Sequence, residues 1–231
     1  MAFPKTFHIC VEGTIGVGKS TFLSKFTDFV KGRFNILTLP EPVGIWTNYG
    51  QEGRNLLDLM YQNEPGASLH FQILALLSKV KQVQNLEGLI LSERSILAQR
   101  NVFIPALLQS KKVSSLESEL LTDWVDTLLP HLNLKPDYTV YLQCSPRVCL
   151  NRIKTRNRPE EEGITLDYLK FLGDSYDNWL LKEDWNSVLT VPYDTYPQDL
   201  GPIFEKIINQ FPIGHNQFEG GIAPFPKEEE F

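Results

Sequence analysis

The chain has 231 residues, of which 42% are hydrophobic and 11% aromatic, and this is enough apolar material for the core of one α/β domain. Its net charge of −6 and pI of about 5.3 argue against a nucleic-acid polymer as partner, because such a partner needs a basic face. A small nucleotide is compatible with this composition, since its few charges need only a local basic cluster.

Signals for export or membrane insertion are missing from the sequence. No apolar run approaches the ~18 residues of a membrane span, and residues 1–6 are neither a secretory signal nor an Arg- and Ser-rich transit peptide. Cys10, Cys144 and Cys149 have no metal-binding spacing and are odd in number, so we expect reduced thiols. We therefore expect a cytoplasmic or nuclear protein, without a leader in this chain and without a membrane partner.

Short apolar segments rich in β-branched residues alternate with stretches long enough for crossover helices. The segments are Phe7–Val11, Phe34–Leu39, Leu89–Leu91, Tyr138–Leu142 and Val188–Val191. Strands of this kind are buried on both faces of a parallel sheet. The alternation predicts an α/β, doubly wound, P-loop type fold with a five-stranded parallel sheet and helices on both faces. We assign residues 1–211 to one domain and residues 212–231, rich in Gly and Pro, to a loose tail.

The segment after the first predicted strand fits the pattern G-x-x-x-x-G-K-[ST] at every fixed position. It consists of Gly13, Thr14, Ile15, Gly16, Val17, Gly18, Lys19, Ser20 and Thr21. Its glycines allow main-chain N–H groups to face phosphate oxygens, and the following helix adds partial positive charge. Lys19 is expected to reach the outer phosphates, and the Ser20 hydroxyl is expected to bind Mg²⁺. Because a strand and a helix flank the motif, a phosphate-binding loop is favoured over a simple glycine-rich turn.

Glu41 lies between two prolines just beyond the second predicted strand. Open parallel sheets bind ligands at this edge, and Pro42 restricts the conformation of Glu41. A carboxylate held there can accept a proton from an attacking hydroxyl. A solvated loop residue is an equally good interpretation of the pattern alone.

The stretch from Ser68 to Asn85 is predicted to be a helix with two distinct faces. The predicted core face consists of Ile73, Leu76, Leu77, Val80 and Val83. A second face carries Gln72, Ala75 and Lys79, and the Gln72 amide is suited to hydrogen bonding with a nucleobase edge. A solvated surface is the ordinary interpretation of such a polar stripe.

Glu93 and Arg94 follow the third predicted strand and suit a site for Mg²⁺ and phosphate. Glu93 is expected to face the metal, and Arg94 to face a phosphate or an ordering carboxylate. The alternative is an isolated surface ion pair, which contributes little.

Five Lys and Arg residues lie within residues 147–158, after the fourth predicted strand. Arg152 and Arg156 are four residues apart and share a helix face, whereas Arg158 lies in the loop beyond because Pro159 disfavours helix. Guanidiniums that converge from a helix end and a loop are typical of a phosphoryl-transfer lid. A solvated charge run is the alternative.

Taken together, these motifs resemble the deoxyribonucleoside kinase family, the group that includes deoxycytidine, deoxyguanosine and mitochondrial thymidine kinases. The resemblance extends from about Phe7 to Phe211 and rests on residues 12–21, 41–43, 71–72 and 93–95 and on the arginine-rich lid with its glutamates. It implies transfer of the ATP γ-phosphoryl, with Mg²⁺, to the 5′-hydroxyl of a 2′-deoxyribonucleoside.

The resemblance also implies roles for individual residues. Glu41 would be the general base, Arg94 would hold Glu41 and the phosphate, and Glu93 would contribute to the Mg²⁺ site. Lid arginines Arg152, Arg156 and Arg158 would clamp the ATP phosphates. The implied nucleoside site consists of Gln72 for the base, Trp46, Phe71, Ala75 and Phe103 around it, and Tyr61 and Glu161 for the 3′-hydroxyl.

The base preference and the quaternary structure are less clearly implied. Similar enzymes that take deoxycytidine or deoxyguanosine carry Arg and Asp where this chain has Lys79 and Gln99, and thymidine-accepting ones tend to have apolar residues there. Our hypothesis is a broad enzyme that favours pyrimidine deoxynucleosides. The alternatives are a purine-preferring enzyme, a thymidylate-type monophosphate kinase and a non-catalytic protein like an accessory subunit of respiratory complex I.

Relatives are commonly dimers, so we expect a homodimer. The residues that could supply either its interface or the core are Leu120, Leu121, Trp124, Val125, Leu128 and Leu129.

Overall fold

The strands of the protein lie side by side in one parallel sheet. The computed structural model describes residues 6–84, 86–131, 135–182 and 187–211, and the predicted tail lies outside them. Among these residues the strands are β1 (Thr6–Glu12), β2 (Ile36–Leu39), β3 (Gly88–Glu93), β4 (Tyr138–Gln143) and β5 (Val188–Pro192). Their order is β2-β3-β1-β4-β5, and every pairing is parallel. The five-stranded parallel α/β fold predicted from the sequence is confirmed.

Helices connect successive strands, as parallel pairing requires. They are α1 (Lys19–Val30), α2 (Val43–Thr47), α3 (Leu56–Tyr61), α4 (Ala67–Val83), α5 (Ile96–Ala98), α6 (Ile104–Gln109), α7 (Ser115–His131), α8 (Pro146–Arg156), α9 (Leu166–Leu180) and α10 (Gly201–Ile208). A π-helical turn, Gln99–Phe103, joins α5 to α6, and a 3₁₀ turn, Pro159–Glu161, follows α8. Arg158 is extended (φ −78°, ψ 126°) at the start of this turn, as expected of a residue before proline.

The chain leaves β1 toward β2 and β3 on one side and later reaches β4 on the other. This reversal creates a crevice at the carboxyl ends of β1, β3 and β4, which is where doubly wound sheets bind ligands. The three central strands are the most buried, whereas β2 and β5 have mostly half-buried residues. The core is closed by aromatic packing, in which Phe204 meets Phe22 and Phe26 edge-to-face at 5.2 Å.

The third strand extends two residues beyond its predicted end and includes Glu93 itself. Ser92 and Glu93 are polar, but β1 pairs with both, through Cys10 and Val11. The Ser92 hydroxyl also finds a buried partner, the His8 Nε2 at 2.7 Å. Polar residues can therefore continue this strand because neighbouring groups satisfy their hydrogen bonds.

The predicted division of α4 into a core face and a polar face holds only in part, because Leu76, Val80 and Val83 pack in an apolar cluster but other positions differ. Leu77, assigned to the core, is 46% exposed, whereas Gln72 and Lys79 are 4% and 7% exposed. The helix is covered on two sides. Leu76 packs in one apolar cluster, and Phe71 packs in another around Trp46. Between these clusters the polar side chains face a cavity rather than bulk solvent.

The apolar residues of α7 divide between core and surface. Leu121 and Val125 are buried, whereas Leu116, Leu120 and Trp124 are 65%, 50% and 46% exposed. The three thiols, Cys10, Cys144 and Cys149, are unpaired. Among the described residues, no helix has the length and apolar character needed to cross a bilayer.

Candidate active site

A cavity of about 900 Å³ opens at the carboxyl ends of the central strands. It brings together residues that are distant in the sequence: the loop after β1, the ends of β2 and β3, one face of α4 and the segment after α8. All the predicted catalytic, metal and substrate side chains line it. Of the predicted phosphate-binding loop, Gly13, Thr14 and Val17 do not. A volume of this size accommodates a ligand larger than a nucleoside alone.

The loop after β1 has the backbone that its glycines permit. Gly16 and Gly18 have φ of 80° and 107°, in the left-handed region that favours glycine. A Cβ on Gly16 would also lie 2.6 Å from the Cys149 carbonyl oxygen, so α8 approaches too closely for a side chain. Val17 is fully buried and anchors the loop to the core.

Lys19 begins α1 and is buried beneath this loop. Its Nζ donates to the carbonyl oxygens of Gly13 at 3.2 Å and Thr14 at 3.0 Å, and lies 3.9 Å from Glu93 Oε1. Burial, assisted by the charge of Arg94, lowers the pKa of Lys19 to about 8. The ammonium is thus held at the loop without a tight ion pair that would neutralise it.

Ser20 and Glu93 meet at the same end of the cavity. The Ser20 hydroxyl donates to Glu93 Oε2 at 2.9 Å. Serine and carboxylate oxygens are ligands that Mg²⁺ prefers, and two adjacent ligands of an octahedral Mg²⁺ lie about 2.9 Å apart. The two oxygens have the spacing and chemistry that such a metal needs.

Glu41 and Arg94 form a largely buried ion pair beyond the ends of β2 and β3. Burial alone would raise the pKa of Glu41, but the charges of Arg94 and Lys19 and the hydrogen bond from Arg94 outweigh it and lower the pKa. Glu41 is therefore ionised at neutral pH. The Arg94 guanidinium also stacks over the Phe103 ring at 5.0 Å, which fixes its plane.

Aromatic side chains wall the other end of the cavity. Trp46 meets Phe71 edge-to-face at 5.4 Å, and its Nε1 donates to the Ser78 hydroxyl at 3.0 Å. Tyr61 borders the cavity from α3, and burial raises its pKa well above the usual value. These contacts hold an apolar part of the cavity, the Trp46–Phe71 slot, against which a planar ring can pack.

Two amides lie against this slot. Gln99 Nε2 is 3.3 Å from the Gln72 main-chain oxygen and 3.3 Å from Gln72 Oε1. Gln99 Oε1 is buried without a hydrogen-bond partner. Lys79, by contrast, turns its Nζ to the Glu93 main-chain oxygen at 2.8 Å. The amides, and not the lysine, offer unused hydrogen-bonding capacity to a ligand.

The lid arginines have different environments. Arg152 donates to the main-chain oxygens of Val17 at 2.7 Å and Tyr193 at 2.9 Å, so it braces the loop after β1. Arg156 instead pairs with Glu161 at 2.5 Å and Arg158 lies 3.5 Å from the same carboxylate. Arg156 and Arg158 are each more than one-third exposed and are the two that can turn toward a ligand.

Residues 9–211 match the family model for deoxynucleoside kinases. The chain belongs to the deoxynucleoside kinase family. It is 32% identical to mitochondrial thymidine kinase 2 of Homo sapiens over 86% of this chain and 75% of that protein. It is also 32% identical to human deoxycytidine kinase, over 87% and 88% of the two chains. A thymidine kinase of Ictalurid herpesvirus 1 is 32% identical over 77% and 75%.

This kinase is therefore an ATP-dependent phosphotransferase. Its cavity contains two tyrosines that sequence reasoning missed, Tyr168 and Tyr196. Tyr196 stacks on Arg152 at 4.5 Å and comes close to Gly18. Tyr196 lies in a loop, and Tyr168 lies on the amphipathic helix α9. Neither belongs to a sequence motif that would distinguish it from an ordinary core or surface residue.

Proposed function

We propose that this kinase transfers the ATP γ-phosphoryl to the 5′-hydroxyl of a 2′-deoxyribonucleoside, with pyrimidine bases favoured. The observation that carries the proposal is the Glu41–Arg94 pair. It lies in one cavity with Lys19 on one side and the Trp46–Phe71 slot on the other. A hydroxyl on a ring bound in that slot would meet an ionised carboxylate beside the phosphate-binding loop.

Glu41 acts in this proposal as the base that orients the 5′-hydroxyl and accepts its proton. Its lowered pKa keeps it ionised, and Arg94 then neutralises charge that develops on the transferred group. Lys19 contributes a second positive charge from beneath the loop. Because phosphoryl transfer depends mainly on positioning and charge stabilisation, these three side chains supply its main requirements.

Mg²⁺, when bound, would neutralise phosphate charge, and we assign its protein ligands to Ser20 and Glu93. Their oxygens, 2.9 Å apart, have the required spacing. Of the three lid arginines, Arg156 and Arg158 are assigned to the ATP phosphates, because Arg152 is already committed to main-chain oxygens. Release of Arg156 and Arg158 from Glu161 would accompany ATP binding and free this carboxylate for the sugar 3′-hydroxyl, with Tyr61.

Base recognition is assigned to Gln72 and Gln99 between Trp46, Phe71, Ala75 and Phe103. The free Gln99 Oε1 would accept a hydrogen bond from the base, and either amide can present a donor or an acceptor. Lys79 acts indirectly, since its ammonium is bound to the Glu93 main-chain oxygen. This neutral, adaptable pair suits a broad enzyme, and the thymidine and deoxycytidine kinases among the relatives support a pyrimidine preference.

We further propose that residues 6–211 act as one domain and that two copies associate through α7. Leu116, Leu120 and Trp124 recur every four residues and are exposed together, which is costly unless a partner covers them. A second copy of this chain is the proposed partner, because the relatives that this chain resembles are commonly dimers. Unpaired thiols fit a reducing compartment such as the cytoplasm.

ADP release from Mg·ATP would test the function. The acceptors are thymidine, deoxycytidine, deoxyadenosine and deoxyguanosine, with thymidine monophosphate as control. Turnover with nucleosides, led by the pyrimidines, is the expected result. Turnover with the monophosphate alone would instead assign the protein to thymidylate-type kinases, and a purine lead would overturn the base preference.

A further inference from the structure

A carboxylate is completely buried beneath the Glu41–Arg94 pair. Glu12 ends β1 and is 0% exposed. Its Oε1 accepts from the Ser95 N–H at 2.8 Å and the Ser95 hydroxyl at 2.7 Å. Burial raises the pKa of Glu12, while the hydrogen bonds from Ser95 act in the opposite direction. Both of its carboxyl oxygens accept hydrogen bonds, since the Tyr176 hydroxyl serves the second one.

One hydroxyl joins this carboxylate to the active-site arginine. Tyr176, from α9, is also 0% exposed. Its hydroxyl donates to Glu12 Oε2 at 3.2 Å and accepts from Arg94 Nε at 3.4 Å. The other side of the same guanidinium pairs with Glu41 through Nη1. A continuous chain of polar contacts thus runs from Glu12 through Tyr176 and Arg94 to Glu41.

The main chain at Arg94 needs such support. Arg94 has φ of 57°, a left-handed conformation that costs about 1–2 kcal/mol for a residue with a side chain. Its N–H donates to the Val11 carbonyl oxygen at 3.0 Å, and the next N–H, that of Ser95, donates to Glu12. Strain of this kind persists only where the surroundings determine it, and here the end of β1 holds both peptide groups.

We propose that Tyr176 and Glu12 are positioning residues for phosphoryl transfer, which direct the Arg94 guanidinium toward Glu41. The proposal rests on the role of Glu41 as the base. Neither residue lines the cavity, so both act through Arg94.

The charged and titratable groups that face Glu41 come from several elements. They are Arg94 after β3, Lys19 on α1, Lys79 on α4, Tyr61 on α3 and Tyr176 on α9. Removal of the Tyr176 hydroxyl leaves all the charges in place. It removes the hydrogen bonds to Arg94 and to Glu12, and of these two groups only Arg94 contacts Glu41. A change in the ionisation of Glu41 would therefore report the direction of that guanidinium.

Tyr176→Phe deletes the hydroxyl and keeps the ring, which stacks on Tyr141 with centroids 5.8 Å apart. Tyr141→Phe is the matched control. Tyr141 is also buried, and its hydroxyl donates to Asp177 at 2.7 Å instead of to Arg94. Each variant therefore loses one buried hydroxyl from the same stacked pair, and only one loses the link to the active site.

The measurement is kcat and kcat/KM of both variants and the unsubstituted kinase from pH 5 to pH 8. We expect Tyr176→Phe to lower kcat by about 10- to 100-fold with KM for ATP within about twofold. Its deficit in kcat/KM should grow as the pH falls, because a less constrained Arg94 allows the pKa of Glu41 to rise. Tyr141→Phe should match the unsubstituted kinase in both respects. Equal kcat and an equal pH profile in the two variants would overturn the proposal.

Two further variants keep the proposal falsifiable. If Tyr176→Phe does not fold, Glu12→Gln, which replaces the carboxyl group that accepts from Tyr176, should show the same pH-dependent deficit, and a pH-independent one would refute the proposal. In a Glu41→Gln background, Tyr176→Phe should add less than about twofold, since it acts through Glu41. Full turnover of Glu41→Gln itself would refute the assigned base and not the contacts of Tyr176.

Discussion

The two ends of the cavity have lining residues of different chemical character. We call them the transfer end, around the Glu41–Arg94 pair, and the base end, around the Trp46–Phe71 slot. At the transfer end the side chains are charged and largely buried. Lys19 is hydrogen-bonded to main-chain oxygens of the loop after β1, and Glu41 and Arg94 pair with each other. At the base end, the walls are aromatic, and the polar groups are two neutral amides, Gln72 and Gln99, joined by contacts of 3.3 Å. The charged groups of the transfer end already have partners, whereas at the base end Gln99 Oε1 is buried without one.

The difference follows from the cost of burying charge. A buried charge without partners is strongly destabilising, so the transfer end has to be organised by the fold itself, and this organisation is also what electrostatic catalysis needs. Neutral amides carry a much smaller penalty and can exchange donor for acceptor. In the proposed function, the fold therefore holds the charged groups in place while the two amides adapt to more than one base.

The sharpest way to break the transfer end is Glu41→Gln. Without a carboxylate the 5′-hydroxyl loses its proton acceptor, so we expect kcat to fall by about 10²- to 10⁴-fold. Circular dichroism should show that the fold persists. Steady-state ADP release is the assay, and Glu119→Gln, at an exposed position on α7, is the matched control. Near-normal turnover of Glu41→Gln would remove the base assignment.

Lys19→Ala tests the positive charge beneath the phosphate-binding loop. Its Nζ is held by two main-chain oxygens, and the alanine variant removes that positive charge. We expect a loss in kcat of about 10²- to 10³-fold with the fold retained. Lys31→Ala, exposed at the end of α1, should leave kcat unchanged. A loss confined to KM for ATP would show that Lys19 binds ATP without stabilising the transition state.

Substitutions at the base end should change the preference between nucleosides more than they change kcat. Replacement of Lys79 by Met and Gln99 by Leu removes the polar groups of these two side chains. We expect the ratio of kcat/KM for thymidine over deoxycytidine to rise by about tenfold. Gln99→Leu alone should account for most of this shift, because Lys79 is bound to the Glu93 main-chain oxygen. An unchanged ratio would refute the role of this pair.

The smallest expected effect concerns the pH dependence of stability and comes from His8, a buried residue of β1. Burial, with the charge of Lys79, lowers the pKa of His8 to about 3. The unfolded chain, with a usual histidine pKa of about 6.5, therefore binds the proton first as pH falls. Between pH 7 and pH 5 the free energy of unfolding should drop by about 2 kcal/mol from this residue alone.

Urea denaturation of His8→Gln and the unsubstituted kinase at both pH values measures this contribution. The variant loses the contact with Ser92 at 2.7 Å, so it is expected to be less stable at pH 7. Only the change between the two pH values carries the prediction. If the free energy of unfolding changes equally in both proteins between pH 7 and pH 5, the lowered pKa of His8 is refuted.

Several features were predictable because they depend on local pattern. The alternation of apolar segments predicted the five parallel strands, and the glycine spacing between β1 and α1 predicted a loop whose φ angles are now seen to be positive at Gly13, Gly16 and Gly18. Glu41, Glu93 and Arg94 follow or end strands, and parallel strands bring such positions to one edge. The structure accordingly places all three in one cavity.

Other features depended on which surfaces meet. The periodicity of α4 suggested one apolar face, but the helix is covered on two sides and its polar residues face the cavity. Arg152 was predicted to share a helix face with Arg156, yet of the three lid arginines only Arg152 donates a hydrogen bond to a main-chain oxygen of the loop after β1, that of Val17. No sequence motif singled out Tyr176, whose hydroxyl reaches Glu12 only because α9 packs beside the end of β1.

Local patterns were enough to predict the order of the elements, the glycine-rich loop and the strand ends at which the charged residues stand, because backbone conformation and hydrophobic periodicity are set by near neighbours. Packing between distant segments determines which face of α4 is covered, which arginine is bound to main-chain oxygens and which buried hydroxyl reaches Arg94. Those outcomes depend on contacts between residues far apart in the chain, such as Glu12 and Tyr176, and no local pattern records them.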